Sequence, residues 1–285
     1  MILANTDFMG TVATTVAPVV NFTLGLKPTK TVMDAVLKVD KHRTFPKYAS
    51  KTFEKWYKKN VAAFQNSFPR HVSMFHGCYV NYNYPQLGKD LVSVMNALGY
   101  GVHLLENEKC CGTALISNGM IDQAKRNAAN NIESMRKSVY ERQMPVISTS
   151  SSCTFTMRDE YPHLLGVKNE DVRDYIELAT RFIYKLIDQD KVKLVFKKGY
   201  KAKVAYHTPC HMERLGWGIF STELIKMIPG VELTVLDSNC CGIAGTYGFK
   251  KENYEVSQAI GKPLFDQIAK LKPDFMSVTY GAGGS

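Results

Sequence analysis

The stretch Asp237-Ser-Asn-Cys-Cys-Gly-Ile-Ala-Gly-Thr-Tyr-Gly-Phe249 sets two adjacent cysteines, Cys240 and Cys241, directly before Gly242. The same triplet occurs once more, as Cys110-Cys111-Gly112. Side chains of neighbouring residues on an extended backbone point in different directions, so such a pair does not readily bridge to itself. It can grip one multi-metal cluster from two sides, and the glycine lets the backbone come close.

Working outward from each triplet exposes a repeat. Val231 to Leu236 reads as a strand running into Cys240, and Val102 to Leu105 as a strand running into Cys110. Upstream, Lys203 to Tyr206 leads into His207-Thr-Pro-Cys210, and Val72 to Phe75 leads into His76-Gly-Cys78. Cys78 and Cys110 are separated by 31 residues (110 − 78 − 1), Cys210 and Cys240 by 29 (240 − 210 − 1). Helical spacing fills the gaps: Gln86 to Leu98, Asp122 to Tyr140 and Glu170 to Gln189 in the first copy, Phe220 to Met227 and Glu252 to Leu271 in the second. Pro145 to Ser148 is a third strand, emptying into Thr149-Ser-Ser-Ser-Cys153; Asp274 to Thr279 is its counterpart. Short strands alternating with helices predict an α/β protein with two pseudo-repeated parallel-sheet halves. Ligands of such sheets gather beyond the carboxyl ends of the strands, where the cysteine-bearing loops fall. The expected organisation is a partly helical lead-in over residues 1–68, a first cysteine-rich domain over 69–190 and a second over 191–285. The lead-in shows helical spacing at Val32 to Val39 and Thr52 to Lys58, but no evident chemistry.

Composition narrows the chemistry. With 45% hydrophobic and 22% charged residues the chain reads as an ordinary globular protein. The start, Met1-Ile-Leu-Ala-Asn-Thr-Asp7, has neither a basic segment nor a long apolar one, so no secretory leader is expected. Gly10 to Leu26 is the most apolar early stretch, yet it contains Pro18 and Asn21 and falls short of the roughly 20 apolar residues of a spanning helix. A net charge of +10 predicts attraction to an anionic surface or partner; no nucleic-acid motif accompanies it, and nucleic acid is not expected. Seven cysteines without a leader argue against a disulfide framework and for metal or redox roles.

The candidate ligands are Cys78, Cys110, Cys111 and Cys153 in the first half, and Cys210, Cys240 and Cys241 in the second. Four thiolates suit zinc or an iron–sulfur centre, and spacing alone does not decide between them. Thiol redox chemistry and simple burial stay open as well. Adjacent cysteines and the lack of any C-x₂₋₄-C pair favour iron–sulfur. His76, His207 and His211 flank these cysteines and are read as loop-positioning hydrogen-bonding groups. Gly242, Gly245 and Gly248 are read as loop geometry, and Asp159-Glu160 as a salt-bridge corner with Arg158 and His163.

The two Cys-Cys-Gly segments resemble the tandem cysteine-rich "CCG" domain family. That family includes the B subunits of heterodisulfide reductases, iron–sulfur subunits of glycolate and lactate oxidases, and the C subunits of anaerobic glycerol-3-phosphate dehydrogenases. The last group is the nearest in phrasing: Phe75-His-Gly-Cys-Tyr-Val-Asn-Tyr82, Ile147-Ser-Thr-Ser-Ser-Ser-Cys-Thr-Phe155, Arg158-Asp-Glu-Tyr-Pro-His163, Tyr206-His-Thr-Pro-Cys-His-Met212 and Cys240 through Tyr254. The resemblance implies a non-catalytic electron-transfer subunit carrying an iron–sulfur cluster of the 4Fe-4S kind, with all seven cysteines as ligands. It implies flavin-containing partner subunits that oxidise sn-glycerol 3-phosphate to dihydroxyacetone phosphate, and membrane quinone as the destination of the electrons. It places the protein in the cytoplasm, peripheral on the inner face of the cytoplasmic membrane. A heterodisulfide-reductase-like subunit and a zinc-stabilised interaction module are the rival readings.

Three features depart from the family pattern. No ferredoxin-like C-x₂-C-x₂-C-x₃-C-P run precedes Cys78, so a piece of a longer protein is expected. Ser150 stands where the first half would carry the first cysteine of a C-x-x-C. The second half expects its C-x-x-C at 280–284, where the sequence reads Tyr280-Gly-Ala-Gly-Gly284, leaving three thiols there.

Overall fold

The computed structural model describes residues 5–196 and 199–278. The lead-in begins with helices α1 (Thr6–Thr15), α2 (Ala17–Gly25) and α3 (Lys27–Leu37). Pro18 and Pro28 sit in the first turns of α2 and α3, where a missing N–H costs nothing and the fixed φ favours helix. Helix α4 (Phe53–Asn60) is N-capped by Thr52, whose side chain accepts from the Lys55 N–H at 3.2 Å, and it buries Phe53 and Tyr57. Both expected lead-in helices are therefore present, and Arg43 to Tyr48 connects them without regular structure.

The first half follows as β1 (Arg70–Phe75), α5 (Gly77–Tyr82), α6 (Pro85–Ala97), β2 (Tyr100–Leu104), α7 (Thr113–Ser117), α8 (Ile121–Arg136), β3 (Val146–Ser148), α9 (Ser151–Phe155), α10 (Tyr161–His163), β4 (Ile176–Leu178) and α11 (Ala179–Asp188). Its sheet has the order β2-β1-β3-β4, every pair parallel, with Val72 opposite Val102, Ser73 opposite Val146 and Ile147 opposite Glu177. The second half runs β5 (Ala202–His207), α12 (Cys210–Leu215), α13 (Gly218–Lys226), β6 (Val231–Val235), α14 (Tyr254–Leu271) and β7 (Phe275–Val278). Its order is β6-β5-β7, again parallel, with Val204 opposite both Leu233 and Phe275. The α/β class and the two pseudo-repeated parallel-sheet halves stand, with β1, β2 and β3 matching β5, β6 and β7.

One stretch differs from the sequence reading. Glu170 to Gln189 is not continuously helical: a 3-10 turn at Arg173–Tyr175 gives way to a fourth strand, Ile176–Leu178, and α-helix runs from Ala179. Ile176 and Leu178 are buried, and Glu177 is tied down by Arg181 at 2.6 Å and Lys185 at 2.8 Å. Three residues are too few to display a period of two, and the salt-bridge spacing downstream of Glu177 imitates a helix.

Burial differs between the halves. On one face of the first sheet, Phe75, Val146 and Ile176 pack on Ala124, Ala128, Ile132 and Met135 of α8. On the other, Val72, Met74, Val102 and Ile147 pack on Phe53, Val92, Met95 and Ile183. A strand covered on both faces reads as a near-continuous apolar run, which Val72-Ser-Met-Phe75 is. The core cluster of the second half is smaller, Ala205, Leu236 and Leu264 with Cys241 and Ile268 packed against it, and its edge residues Phe275 and Met276 are exposed. Met74, Met95 and Met135 are core residues, whereas Met227 is exposed, at the end of α13 where the chain turns to Pro229.

The lead-in clamps the second half. Arg43 donates from Nε to the Gly248 carbonyl at 2.7 Å and from Nη2 to Ser257 Oγ at 2.6 Å, and lies over the Tyr254 ring at 4.8 Å. Val39 makes an antiparallel bridge to Lys250, and Lys251 pairs with Asp34.

Candidate metal centre

Because β2, β1 and β3 are neighbours and all parallel, the loops leaving their carboxyl ends meet. Cys78 sits in the first turn of α5 after β1, Cys110 and Cys111 follow β2, and Cys153 lies in α9 after β3. The thiols of Cys78, Cys110, Cys111 and Cys153 lie close enough to perturb one another. Cys110, Cys111 and Cys153 are buried. Cys111 and Cys78 hold Cys110 well below the ordinary thiol range, whereas Cys110 pushes Cys78 and Cys111 well above it.

The backbone is arranged for close approach. Gly112 has φ of 98° and Gly242 of 78°, so the two triplets turn alike in the left-handed region that favours glycine. A Cβ on Gly242 would come within 2.0 Å of the Ser257 carbonyl oxygen. Ser150 is the N-cap of α9: its hydroxyl accepts from the Cys153 N–H at 3.2 Å. The serine that replaces a cysteine thus orients the one that remains.

Residues without a sequence signal complete this site. Asp7 of α1 accepts the Cys110 N–H at 2.8 Å, and burial followed by the nearby Cys110 raises its pKa. Glu108, buried behind β2, accepts the N–H groups of His76 at 3.0 Å and Gly77 at 2.7 Å, with His76 Nδ1 at 3.2 Å. Burial pushes Glu108 up to about 7 against the pull of His76. Asn131 pins Lys109 from both sides, accepting its N–H at 2.9 Å and donating to its carbonyl at 3.0 Å. The lead-in therefore does contribute to the site: Asp7 was invisible because nothing in a sequence marks a carboxylate 103 residues away from its partner.

A cavity of about 180 Å³ opens onto the four thiols, walled also by Met9, Phe45, Tyr48, Tyr82, Thr149 and Phe249. The Thr149 hydroxyl in that wall is buried without a hydrogen-bond partner. Four soft donors on one mostly apolar cavity, close backbone at Gly77 and Gly112 and an unsatisfied hydroxyl in the wall fit an iron–sulfur group. Among the described residues no group of three or more His, Cys, Asp or Glu side chains is placed to hold a single ion.

The second set is more open. Cys210 begins α12 after β5, while Cys240 and Cys241 follow β6; Cys210 is exposed and the other two are half-buried. Partial burial, then the nearby Cys240, push Cys210 up to about 11. The Gly242 N–H donates to Cys240 Sγ at 3.3 Å. The structure brings Cys210, Cys240 and Cys241 together; the expected position of a further ligand, 280–284, lies outside the described residues.

The flanking histidines hold loops. His207 Nε2 donates to the Asn239 carbonyl at 2.8 Å, spanning the two cysteine loops of the second half. His211 Nδ1 lies 2.8 Å from Ser152 Oγ, and its ring stacks on Phe155 at 4.9 Å, joining the halves. Asn118 and Thr246, following the two triplets, are joined at 2.7 Å. Gly245 has φ of 65° and Gly248 packs on Ser257, in keeping with a role in loop shape. Asp159 belongs to a salt-bridge corner, but its partner is Arg173 at 3.0 Å, not Arg158 or His163; Glu160 accepts from Thr156.

Comparison with known proteins agrees with this geometry. A family model described as a cysteine-rich domain, CCG, matches residues 72–158 and again 204–281. The chain is 55% identical over 275 residues to the C subunit of anaerobic glycerol-3-phosphate dehydrogenase of Escherichia coli K12, covering 96% of this chain and 69% of that protein. It is 34% identical over 220 residues to lactate utilization protein A of Bacillus velezensis, covering 74% of this chain and 86% of the relative. It is 29% identical over 214 residues to the D subunit of dihydromethanophenazine:CoB–CoM heterodisulfide reductase of Methanosarcina barkeri, covering 71% and 50%. Two copies of the cysteine-rich domain and the extent of the match to the Escherichia coli protein lead to one conclusion: the chain belongs to the CCG family of cysteine-rich proteins, in the branch of the anaerobic glycerol-3-phosphate dehydrogenase C subunits.

Proposed function

We propose that the chain is an iron–sulfur electron-transfer subunit of an anaerobic glycerol-3-phosphate dehydrogenase complex. The observation that carries the reading is the convergence of Cys78, Cys110, Cys111 and Cys153 on one cavity at the carboxyl ends of three adjacent strands. When bound, an iron–sulfur cluster supplies reversible one-electron redox chemistry. The residues of the chain hold and insulate it. Asp7, Glu108 and Asn131 fix the loops from which the ligands project. Burial of three of the four thiols excludes water, which limits hydrolysis and oxidation of what they hold.

In this reading Cys210, Cys240 and Cys241 form a second, more exposed ligand set. Electrons arrive from flavin-containing subunits that oxidise sn-glycerol 3-phosphate to dihydroxyacetone phosphate and leave toward membrane quinone, at the inner face of the cytoplasmic membrane. The test is reduction of the chain by substrate. With the dehydrogenase subunits present and oxygen absent, glycerol 3-phosphate should bleach the visible absorbance of the chain, and Cys111→Ser should remove the part of that absorbance due to the first set. A chain that binds those subunits and carries a cluster, yet stays oxidised, contradicts the assignment of substrate.

A further inference from the structure

The strands whose carboxyl ends carry the first four cysteines form a second concave site at their amino ends. Arg70 opens β1, Tyr100 opens β2, and Arg142 and Gln143 stand just before β3. With Lys185 of α11 and Lys191 beyond it, they line a cleft of about 520 Å³. The six residues of β1, at about 3.3 Å each, separate this cleft from the cysteine loops. Ligands of parallel sheets ordinarily gather at the carboxyl ends; this cleft lies at the other end of the same sheet.

The wall is cationic. Among the described residues it contains four Lys or Arg side chains and no Asp or Glu. Arg142 reaches out to Glu106, and Lys185 shares Glu177 with Arg181, at 2.8 and 2.6 Å respectively. Arg70 and Lys191 pair with no carboxylate among the described residues. Asp188 and Asp190, close to Lys191 in sequence, are exposed and lie outside the wall. Arg70 is held by neutral groups instead: Nη2 donates to the Leu98 carbonyl at 3.0 Å, and the guanidinium lies over the Tyr100 ring at 4.4 Å. Fixing a half-buried guanidinium without neutralising it leaves a charge that an incoming anion compensates. Charges of one sign on a concave wall also focus the field and draw anions in.

The backbone presents these groups at a cost. Gln143 has φ of 54° and Asp190 of 55°, left-handed values unfavourable for any residue but glycine. Gln143 follows the π-helical turn Lys137–Glu141 that extends α8. Asp190 follows α11 and leads into Lys191, whose N–H donates to the Leu186 carbonyl at 2.9 Å. Strained backbone of this kind gathers at ligand clamps.

Charge and size choose the ligand. The two unpaired cations, Arg70 and Lys191, match the charge of about −2 on one phosphate group, and guanidinium and ammonium groups both recognise phosphate oxygens. The cleft volume lies in the range of small-molecule sites, and the Gln143 amide offers a donor and an acceptor to an uncharged remainder. We propose that this cleft binds a dianionic phosphate group, as the monoester of a small molecule or as the free ion. The site goes beyond the electron-transfer reading and needs no cluster.

The test is titration of the full, anaerobically prepared chain with inorganic phosphate and with ribose 5-phosphate at constant ionic strength, read by calorimetry and by hydrogen exchange. Both should bind and protect residues 142–145 and 189–191 while the cysteine loops stay unchanged; the tighter of the two identifies the source, ester or free ion. Arg70→Gln and Lys191→Gln should each weaken binding about tenfold, whereas Lys125→Gln, exposed on α8, should not. The Lys191 side chain holds no other element, so that variant reads the site even where Arg70→Gln disturbs β1. Absence of binding by both probes overturns the proposal, as does binding that Lys191→Gln and Arg70→Gln leave unchanged. Citrate bound as tightly as either probe would mark a general anion-attracting surface, and a polyglutamate peptide bound in preference to both would mark a protein contact; each also overturns it.

Discussion

His211 Nδ1 and Ser152 Oγ lie 2.8 Å apart, and each residue adjoins a cysteine of a different set, Cys210 and Cys153. The contact ties α12 to α9, with Phe155 stacked on the His211 ring and Arg214 over Phe155 at 5.6 Å. The two ligand sets are thus braced against each other. His211→Ala removes the hydrogen bond and the stack, worth together about 1–2 kcal/mol. Hydrogen exchange should quicken by roughly tenfold at residues 151–155 and 210–215 while β1 and β2 stay protected. Unchanged exchange at both helices would show that the halves are held elsewhere.

The glycine of the second triplet is under a stricter constraint than its neighbours in sequence suggest. Gly242→Ala places a Cβ 2.0 Å from the Ser257 carbonyl oxygen at φ of 78°. Gly119 also has positive φ, 73°, but open space around it. Both substitutions incur the cost of a left-handed alanine, about 1 kcal/mol; only Gly242→Ala adds displacement of α14. The melting temperature of Gly242→Ala should fall several degrees further than that of Gly119→Ala, about 2–4 °C for each additional kcal/mol. Equal shifts would contradict the close approach.

Arg43 holds the loop beyond Cys240 and Cys241 through Gly248, Ser257 and Tyr254. Removing it loosens that loop over the small core of Ala205, Leu236 and Leu264. In metal-free protein, Arg43→Ala should speed alkylation of Cys240 and Cys241, with no change at Cys110 and Cys111, read by mass spectrometry of labelled peptides. Equal acceleration at both pairs would mean the substitution unfolds the chain globally.

A histidine pair away from both sites sets a pH dependence. His103 Nε2 lies 3.1 Å from His71 Nδ1, and burial, then His71, then Arg142 lower the pKa of His103. The unfolded chain binds a proton more readily there, so this contribution is present above the unfolded value, about 6.5, and is lost as pH falls toward the folded one. The urea midpoint should drop between pH 7.5 and 5.5 (conditions near the reference value, about 6.5), and His103→Gln should flatten that drop. An identical pH response in the variant would remove His103 as its source.

The cysteine architecture is legible because a repeat constrains itself: the loops of Cys78 and Cys110-Cys111 have counterparts at Cys210 and Cys240-Cys241 whose spacing agrees within two residues. Parallel order then followed from the alternation of strands and helices. What escaped notice is what has no local pattern. Strand Ile176–Leu178 is too short to show its period, and its Glu177 salt bridges look helical. Asp7 and Arg43 act 103 and 205 residues from their partners, and only the folded chain brings them there. Glu108 lies just two positions before Cys110, but a carboxylate beside a thiol pair reads equally as a solvated charge until its burial is known.

Metal and sulfide analysis of anaerobically prepared protein decides whether Cys78, Cys110, Cys111 and Cys153 hold an iron–sulfur cluster. Iron should be found with an equivalent amount of acid-labile sulfide, retained in Cys241→Ser at the level due to the first set and lost from that set in Cys111→Ser, with electron paramagnetic resonance of the reduced protein following the iron. Zinc without sulfide, or iron unaffected by Cys111→Ser, would contradict it.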